Sequence, residues 1–169
     1  MRVTPAGIAL LHDFEGLRLE AYDDNGNAAG GVWTIGRGTT RYPPWHLGGR
    51  RVRMGDACTL ELADLFFRHD LMPKEDAVDA LTRDDILPRQ FNALVSFTYN
   101  TGEGAYRDST LRRLVNADPN NPAIRGQFMR WHYQAGEPVF GLWRRRHRES
   151  DHYFGILSEC PPFPHEKAA

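Results

Sequence analysis

The chain has 169 residues, 41% hydrophobic and 25% charged, with a net charge of −1. That balance suits one folded domain, or two small lobes sharing a core, and excludes disorder as the default. No apolar run is long enough to span a bilayer, and a near-neutral total excludes whole-molecule attraction to nucleic acid.

Thr4-Pro5 starts the first predicted helix, with Thr4 as N-cap and Pro5 at the first helical position, where its missing N–H costs nothing. Ile8, Leu11 and Phe14 give an apolar face at helical spacing, and Gly16 is a fitting stop, so Glu15 is expected at the helix end. The apolar patch from Ile8 to Leu11 is too short for a signal-peptide core. Leu17–Tyr22 alternates as a half-buried strand does, Asp23–Gly31 is a glycine-rich turn, and Val32–Ile35 is a second strand. These pieces predict a small antiparallel sheet. Residues 41–57, rich in Pro, Gly and Arg, read as a surface excursion with a short third strand at Arg51–Met54.

Thr59 caps the next helix, which Pro73 is expected to kink or interrupt before it resumes over 74–81. The rest reads as helical: Pro88–Asn100, ending before Gly102; Thr110–Asn116, capped by Ser109; a helix opened by Pro122 that carries Ile124, Phe128, Met129 and Trp131; and Trp143–Leu157. Phe91, Phe97, Phe128 and Trp131 are expected in the core. The tail, 158–169, has no periodicity and is expected to be loose. The fold class is therefore α+β: a small sheet-containing lobe (13–58), a connecting helix (about 59–81) and a helical lobe (82–157), with a cleft between lobes as the natural ligand site.

Charge is unevenly spread. Residues 61–100 hold eight acids against four bases, and residues 101–169 hold ten bases against eight acids. Arg144, Arg145, Arg146 and Arg148 concentrate the excess, and a solvated helix face is the ordinary fate of such a run. Cys58 and Cys160 match no metal-ligand or CxxC spacing and are expected as free thiols. The seven histidines form no HxxxH or HExxH pair; His69, His132, His147, His152 and His165 read as scattered surface or interface residues. No metal site and no cofactor are expected.

The chemistry concentrates at the hairpin. Glu15 and Asp24 are nine residues apart, one at a helix end and one on a turn that can fold back over it. Two carboxylates across a cleft are the minimal equipment of glycoside hydrolysis, one protonated to donate to the leaving oxygen and one ionised. Glu15, beside an apolar face, is the better acid candidate. Asp24, on a polar turn, is the better base, with Asp23 a rival, and Thr34 can help hold an attacking water. Tyr22 and Trp33 flank the hairpin as sugar-stacking candidates, while Asn100, Thr101 and Gly102 are candidate hydrogen-bonding residues for N-acetyl groups.

The motifs Phe14-Glu15-Gly16, Tyr22-Asp23-Asp24 and Thr34-Ile35-Gly36-Arg37-Gly38 resemble those of the phage-type lysozymes, the T4-like and lambdoid endolysins. The resemblance continues through Gln90–Phe97, Tyr99–Gly102, Ser109-Thr110-Leu111, Phe128–Trp131 and Gly141–Arg146, to about residue 155. It implies a two-lobed lysozyme-like fold and a muramidase that cleaves the β-1,4 bond between N-acetylmuramic acid and N-acetylglucosamine in peptidoglycan. Glu15 would be the general acid, Asp24 the base or nucleophile and Thr34 the third member, with one arginine of the last helix approaching the glutamate. It also implies a monomer without stable membrane insertion, accumulating in the host cytoplasm until a separately made membrane pore, a holin, releases it to the wall. Three departures stand out: a long loop from Asn25 to Trp33, Thr39 where the family often has histidine, and an enlarged segment 41–57 that could extend the cleft wall. A lytic transglycosylase is the enzymatic alternative, against which Asp24 and Thr34 speak; a wall-binding or virion structural module is the non-catalytic one.

Overall fold

The computed structural model describes residues 1–23, 31–156 and 160–165. The chain divides into two units: Leu11–Pro73 forms one, and Met1–Leu10 together with the chain from Lys74 onward forms the other.

Helix α1 (Pro5–His12) begins as expected: Thr4 Oγ1 accepts from the Gly7 N–H at 3.5 Å and the Thr4 carbonyl from the Ile8 N–H at 3.0 Å. It ends three residues short of Glu15. The N–H groups of Phe14 and Glu15 both close on the Leu11 carbonyl at 3.0 Å, a tightened last turn of the kind that satisfies helix ends.

In the Leu11–Pro73 unit, strands β1 (Arg18–Asp23) and β2 (Trp33–Gly36) pair antiparallel, with Tyr22 opposite Thr34, Asp23 opposite Trp33, and a bulge between Arg18 and Tyr22. The other edge of β1 is met by residues 56–58: the Ala21 N–H donates to the Asp56 carbonyl at 2.8 Å and the Cys58 N–H to the Leu19 carbonyl at 2.9 Å. The expected third strand at Arg51–Met54 is corrected to an isolated bridge, Arg51 opposite Arg41. Pairing stops after Val52 because Gly55, at φ 83°, turns the chain and the Asp56 carboxylate accepts from the Arg53 N–H at 2.9 Å. A single 3-10 turn at Leu47–Gly49 also occupies this segment. The unit's core is Ile35, Tyr42, Val52 and Phe66, with Ala21, Trp33, Cys58 and Leu62 packed against it.

Helix α2 (Leu60–Leu81) is capped by Thr59, whose hydroxyl accepts from the Leu62 N–H at 3.3 Å. It runs through Pro73 without the expected interruption. Proline removes one N–H, hence one bond to the carbonyl four residues back, and the buried Phe67, Leu71 and Val78 on either side hold the helix together.

The second unit is built on α3 (Pro88–Thr101), buried continuously from Gln90 to Thr98. Helices α4 (Glu103–Asp108), α5 (Thr110–Ala117) and α6 (Ala123–Met129) follow; Ser109 Oγ caps α5 by accepting from the Arg112 N–H at 3.0 Å. Trp131 falls outside α6, but its ring meets the Phe97 ring edge-on at 5.3 Å. Helix α4 is an addition to the expected helices, and one element departs from the all-helical expectation: a hairpin of β3 (Tyr133–Gln134) and β4 (Glu137–Pro138). Its turn residues, Ala135 and Gly136, both have positive φ, as a two-residue hairpin turn demands. Helix α7 (Phe140–Phe154) packs on α3 and α6 and stops at Gly155, left-handed at φ 67°, rather than at 157. The tail differs from expectation over its described part: Phe163 lies 5.6 Å from the Phe140 ring and 5.8 Å from the Trp143 ring. Among the described residues, no helix is long and apolar enough to cross a membrane.

Candidate active site

Glu15 stands half-buried in the tight turn between α1 and β1, its backbone pinned to Leu11. Only Gly16 and Leu17 separate Glu15 from β1, so the carboxyl-bearing position is set by the helix end on one side and by the hairpin on the other.

Cross-strand register sorts the remaining hairpin candidates. Directly opposed residues share a face of the sheet, and neighbours alternate. Tyr22 and Thr34 therefore share one face, and Asp23, Trp33 and Ile35 the other. Trp33 packs against the core, so of the two expected sugar-stacking residues only Tyr22 is on the face of Thr34. Tyr22 is half-buried, with the Arg18 guanidinium 4.7 Å over its ring, and it closes a groove of about 510 Å³ that runs along β1 from Arg18. Thr34 is only 3% exposed and its hydroxyl donates to the Val32 carbonyl at 3.3 Å. Asp24 lies outside the described residues. Its rival, Asp23, has its carboxylate turned back over Gly31, so close that a Cβ at Gly31 would overlap it.

The chain after Thr34 is anchored to α2. Gly36 and Gly38 take positive φ, and the Ile35 and Thr39 backbones exchange hydrogen bonds at 2.9 and 3.0 Å. Gly36 also approaches Ala63, where an added Cβ would meet the Ala63 Cβ at 3.3 Å. Thr39, in the place where the phage-type lysozymes often carry histidine, is buried and donates to Asp70 Oδ2 at 2.6 Å, and the Arg37 guanidinium pairs with Asp64 at 3.2 Å. Thr39 thus supports the hairpin by tying it to α2.

Asn100, Thr101 and Gly102 belong to the other unit, at the C-terminus of α3. The Thr101 hydroxyl donates to the Phe97 carbonyl at 2.9 Å and the Gly102 N–H to the Thr98 carbonyl at 2.8 Å, so both donors are used within the helix. Asn100 is different. Its Oδ1 accepts from Arg146 Nη2 at 2.6 Å. Since a guanidinium only donates, the amide oxygen must face Arg146, which leaves Nδ2 as the donor for another group.

The expectation of a solvated arginine run fails for half of its members. Arg144 and Arg148 are exposed, whereas Arg145 is 6% and Arg146 0% exposed. Both buried guanidiniums pair with the fully buried Glu149 at 3.1 Å, Arg146 lies 5.1 Å from the Phe97 ring centroid, and Ser96 Oγ donates to Glu149 Oε1 at 2.7 Å. Burial lowers the Arg146 pKa, and Glu149 opposes that. His132 and His147, read as surface or interface residues, are buried. Among the described residues, no three His, Cys, Asp or Glu side chains converge as a metal site requires.

The phage lysozyme family model matches residues 12–149. The endolysin of Bacillus phage B103 is 36% identical over 149 residues, covering 88% of this chain and 52% of the relative; the chain thus spans about half the length of that protein. The solved endolysin from Escherichia coli O157:H7 phage FAHEc1 superposes with a TM-score of 0.80 at 33% identity, over 94% of this chain and 98% of the other. The muramidase domain of SpmX from Asticaccaulis excentricus gives a TM-score of 0.74 at 31% identity, over 90% and 97%. The fold, mostly helical with a small two-stranded hairpin, is lysozyme-like, and the chain belongs to the phage lysozyme family.

Proposed function

We propose that the chain is a peptidoglycan hydrolase, a muramidase that cleaves the β-1,4 bond between N-acetylmuramic acid and N-acetylglucosamine. The observation that carries this reading is the family match over residues 12–149, a span that takes in Glu15, Asp24 and Thr34. The muramidase activity named for the SpmX domain supports the choice of bond.

In this reading, protonated Glu15 gives its proton to the glycosidic oxygen as the C1–O bond breaks, and N-acetylglucosamine leaves with a free 4-hydroxyl. Asp24 completes the reaction in one of two ways. As a base it takes a proton from a water that attacks C1, and the anomer inverts; as a nucleophile it attacks C1 itself, forming a glycosyl ester that water then opens with retention. Carboxyl separations of about 6.5–9.5 Å and about 5–5.5 Å go with the two outcomes. Because the Thr34 hydroxyl proton is spent on the Val32 carbonyl, Thr34 contributes to the water as an acceptor. Tyr22 offers an aromatic edge beside it, and Asn100 Nδ2, held outward by Arg146, suits an acetamido carbonyl. The enzyme acts as a monomer without a cofactor, and lysis of the host follows its release from the cytoplasm through a separate membrane pore.

Turbidity clearance of outer-membrane-permeabilised cells tests the assignment. Loss of a general acid or base costs about 10²–10⁴-fold in rate, so Glu15→Gln and Asp24→Asn are expected to lose at least about 10²-fold with wall binding retained, and Thr34→Ala to lose less. Full clearance by Glu15→Gln removes the proposal, and anhydro ends in the product assign a transglycosylase instead.

A further inference from the structure

A cleft of about 640 Å³ in the unit formed by Met1–Leu10 and the chain from Lys74 onward contains neither the candidate catalytic carboxylates and Thr34 nor the candidate sugar-binding residues. One wall is a stripe of α7 at helical spacing, Arg144, Arg148 and His152, ending at the left-handed Gly155. Arg89, from the first turn of α3, faces it: a Cβ at Gly155 would come 3.0 Å from the Arg89 Nε, so glycine lets the guanidinium close over the end of α7. Leu10 and Ile156 supply apolar surface.

Three guanidiniums thus face one cleft. Among the described residues, the one carboxylate on the wall is Asp151, whose side chain is 9% exposed and engaged with Arg125 at 2.8 Å and His147 Nδ1 at 3.2 Å. The described part of the wall is therefore net positive. His152 adds a neutral donor. Asn92 Oδ1 accepts from the Thr4 N–H at 3.0 Å, which turns Asn92 Nδ2 toward His152 Nε2 at 3.3 Å. Nε2 must accept, and the ring proton sits on Nδ1. Guanidinium forks match phosphate oxygens bidentately, and several forks on one anion favour a phosphate over a single carboxylate. A volume well above that of a lone phosphate, with apolar surface at Leu10 and Ile156, leaves room for a substituent.

We propose that this cleft is a binding site for an organic phosphate, with the phosphate group held by Arg89 and Arg144 and with Arg148 adding positive charge to the same wall, and that it works independently of the Glu15 site. The phosphate can be carried by an anionic wall polymer or by a lipid headgroup. Calorimetric titration at constant ionic strength with inorganic phosphate, sn-glycerol 3-phosphate and a glycerol phosphate oligomer, alongside sedimentation with phosphatidylglycerol-containing and pure phosphatidylcholine vesicles, tests it. Glycerol phosphate is expected to bind saturably, more tightly than inorganic phosphate, and about tenfold or more weaker in Arg144→Gln and in Arg89→Gln. Arg144 is exposed, so its variant is expected to keep the wild-type melting temperature. Glu15→Gln is expected to bind glycerol phosphate as wild type does, so that failure of the muramidase reading and failure of this one are separable. A preference for the oligomer assigns the polymer, and arginine-dependent capture by phosphatidylglycerol vesicles assigns the lipid. Absence of saturable binding to every phosphate probe, or equal binding by wild type and both variants, overturns the proposal.

Discussion

Glu149 and Arg146 have no exposed side-chain surface, and Arg145 keeps 7% of its own. One carboxylate therefore holds two guanidiniums between α3 and α7. Removing one partner of a buried pair leaves a charge without its counter-ion, at a cost of about 3–5 kcal/mol. Glu149→Gln is accordingly expected to lower the melting temperature by roughly 10 °C for a chain of this size. Arg146→Met combined with Glu149→Gln is expected to lose less than the sum of the single variants, because one of the two guanidiniums that Glu149→Gln strands goes with its partner and only Arg145 stays uncompensated. Additive losses in thermal melts would show that the pair is not coupled. The burial of Arg146 had a signature in the sequence: Trp143, Arg146, Ser150 and Tyr153 fall at helical spacing, and all four are buried. A run of four arginines masks that stripe, because charge suggests solvent and the helical period alone does not name a buried acid to receive it. The turn that carries Glu15 and the hairpin that carries Thr34, by contrast, were legible from short motifs, since both are local in sequence. The partner that turns Asn100 outward, Arg146, is 46 residues away and no local pattern indicates it.

Elements were legible where they carried their own punctuation. Thr4-Pro5, Thr59, Ser109 and Gly102 mark helix ends in the expected places, whereas α4 and the β3–β4 hairpin are too short for a period to emerge, and Ala135-Gly136 lacks the Asn-Gly signal of a tight hairpin turn. The segment 41–57 shows what organises an irregular element instead. Arg50 grips the Asp56 carboxylate with two bonds at 2.7 and 2.8 Å, the Arg53 N–H adds a third at 2.9 Å, and the Tyr42 hydroxyl donates a fourth at 3.0 Å. The Arg50 bonds first, then those of Arg53 and Tyr42, hold the Asp56 carboxyl far below the ordinary 3.8. Burial, with help from Asp56, pushes the Tyr42 phenol up to about 12, so it remains a donor. The unfolded chain takes up the Asp56 proton more readily than the native one. Its contribution to stability is therefore complete above about pH 4 and disappears as pH falls toward the native value. Asp56→Asn is expected to be less stable than wild type at pH 7, with a flatter loss of stability between about pH 4 and 2. Parallel acid limbs for the two proteins in tryptophan fluorescence would show that the network does not govern this segment.

Across the whole molecule, covalent order and membership of the two units differ. The sequence places the small lobe at residues 13–58, yet Met1–Leu10 belongs with the chain from Lys74 onward. Asn92 makes the join: its side chain accepts from the Thr4 N–H, donates to Thr4 Oγ1 at 2.8 Å and donates to His152, linking α1, α3 and α7. Gly7 sits against it, and a Cβ there would come within 2.5 Å of the Asn92 Cγ, so glycine is what allows α1 to approach. Such a join closes 88 residues of chain and has no local signal, which is why periodicity could not reveal it. Burial, and then Arg89, lower the His152 pKa below 6.5. The native ring resists protonation, because an N–H at Nε2 would point at the amide donor of Asn92. The unfolded chain thus binds the proton first, and stability must fall as pH drops below about 6.5. His152→Gln is expected to reduce that slope between pH 7.5 and 5.5, since its side-chain oxygen can accept from Asn92 without titrating. Asn92→Ala, which leaves the Thr4 N–H unsatisfied, is expected to cost about 1–3 kcal/mol at pH 7. Hydrogen exchange should show that cost at the α1 amides and in α3 and α7, with the amides of β1 and β2 keeping their protection, because the sheet belongs to the other unit. Loss of protection in β1 and β2 equal to that in α3 would mean that the two units unfold together and that the N-terminal segment is not the separable anchor its contacts describe.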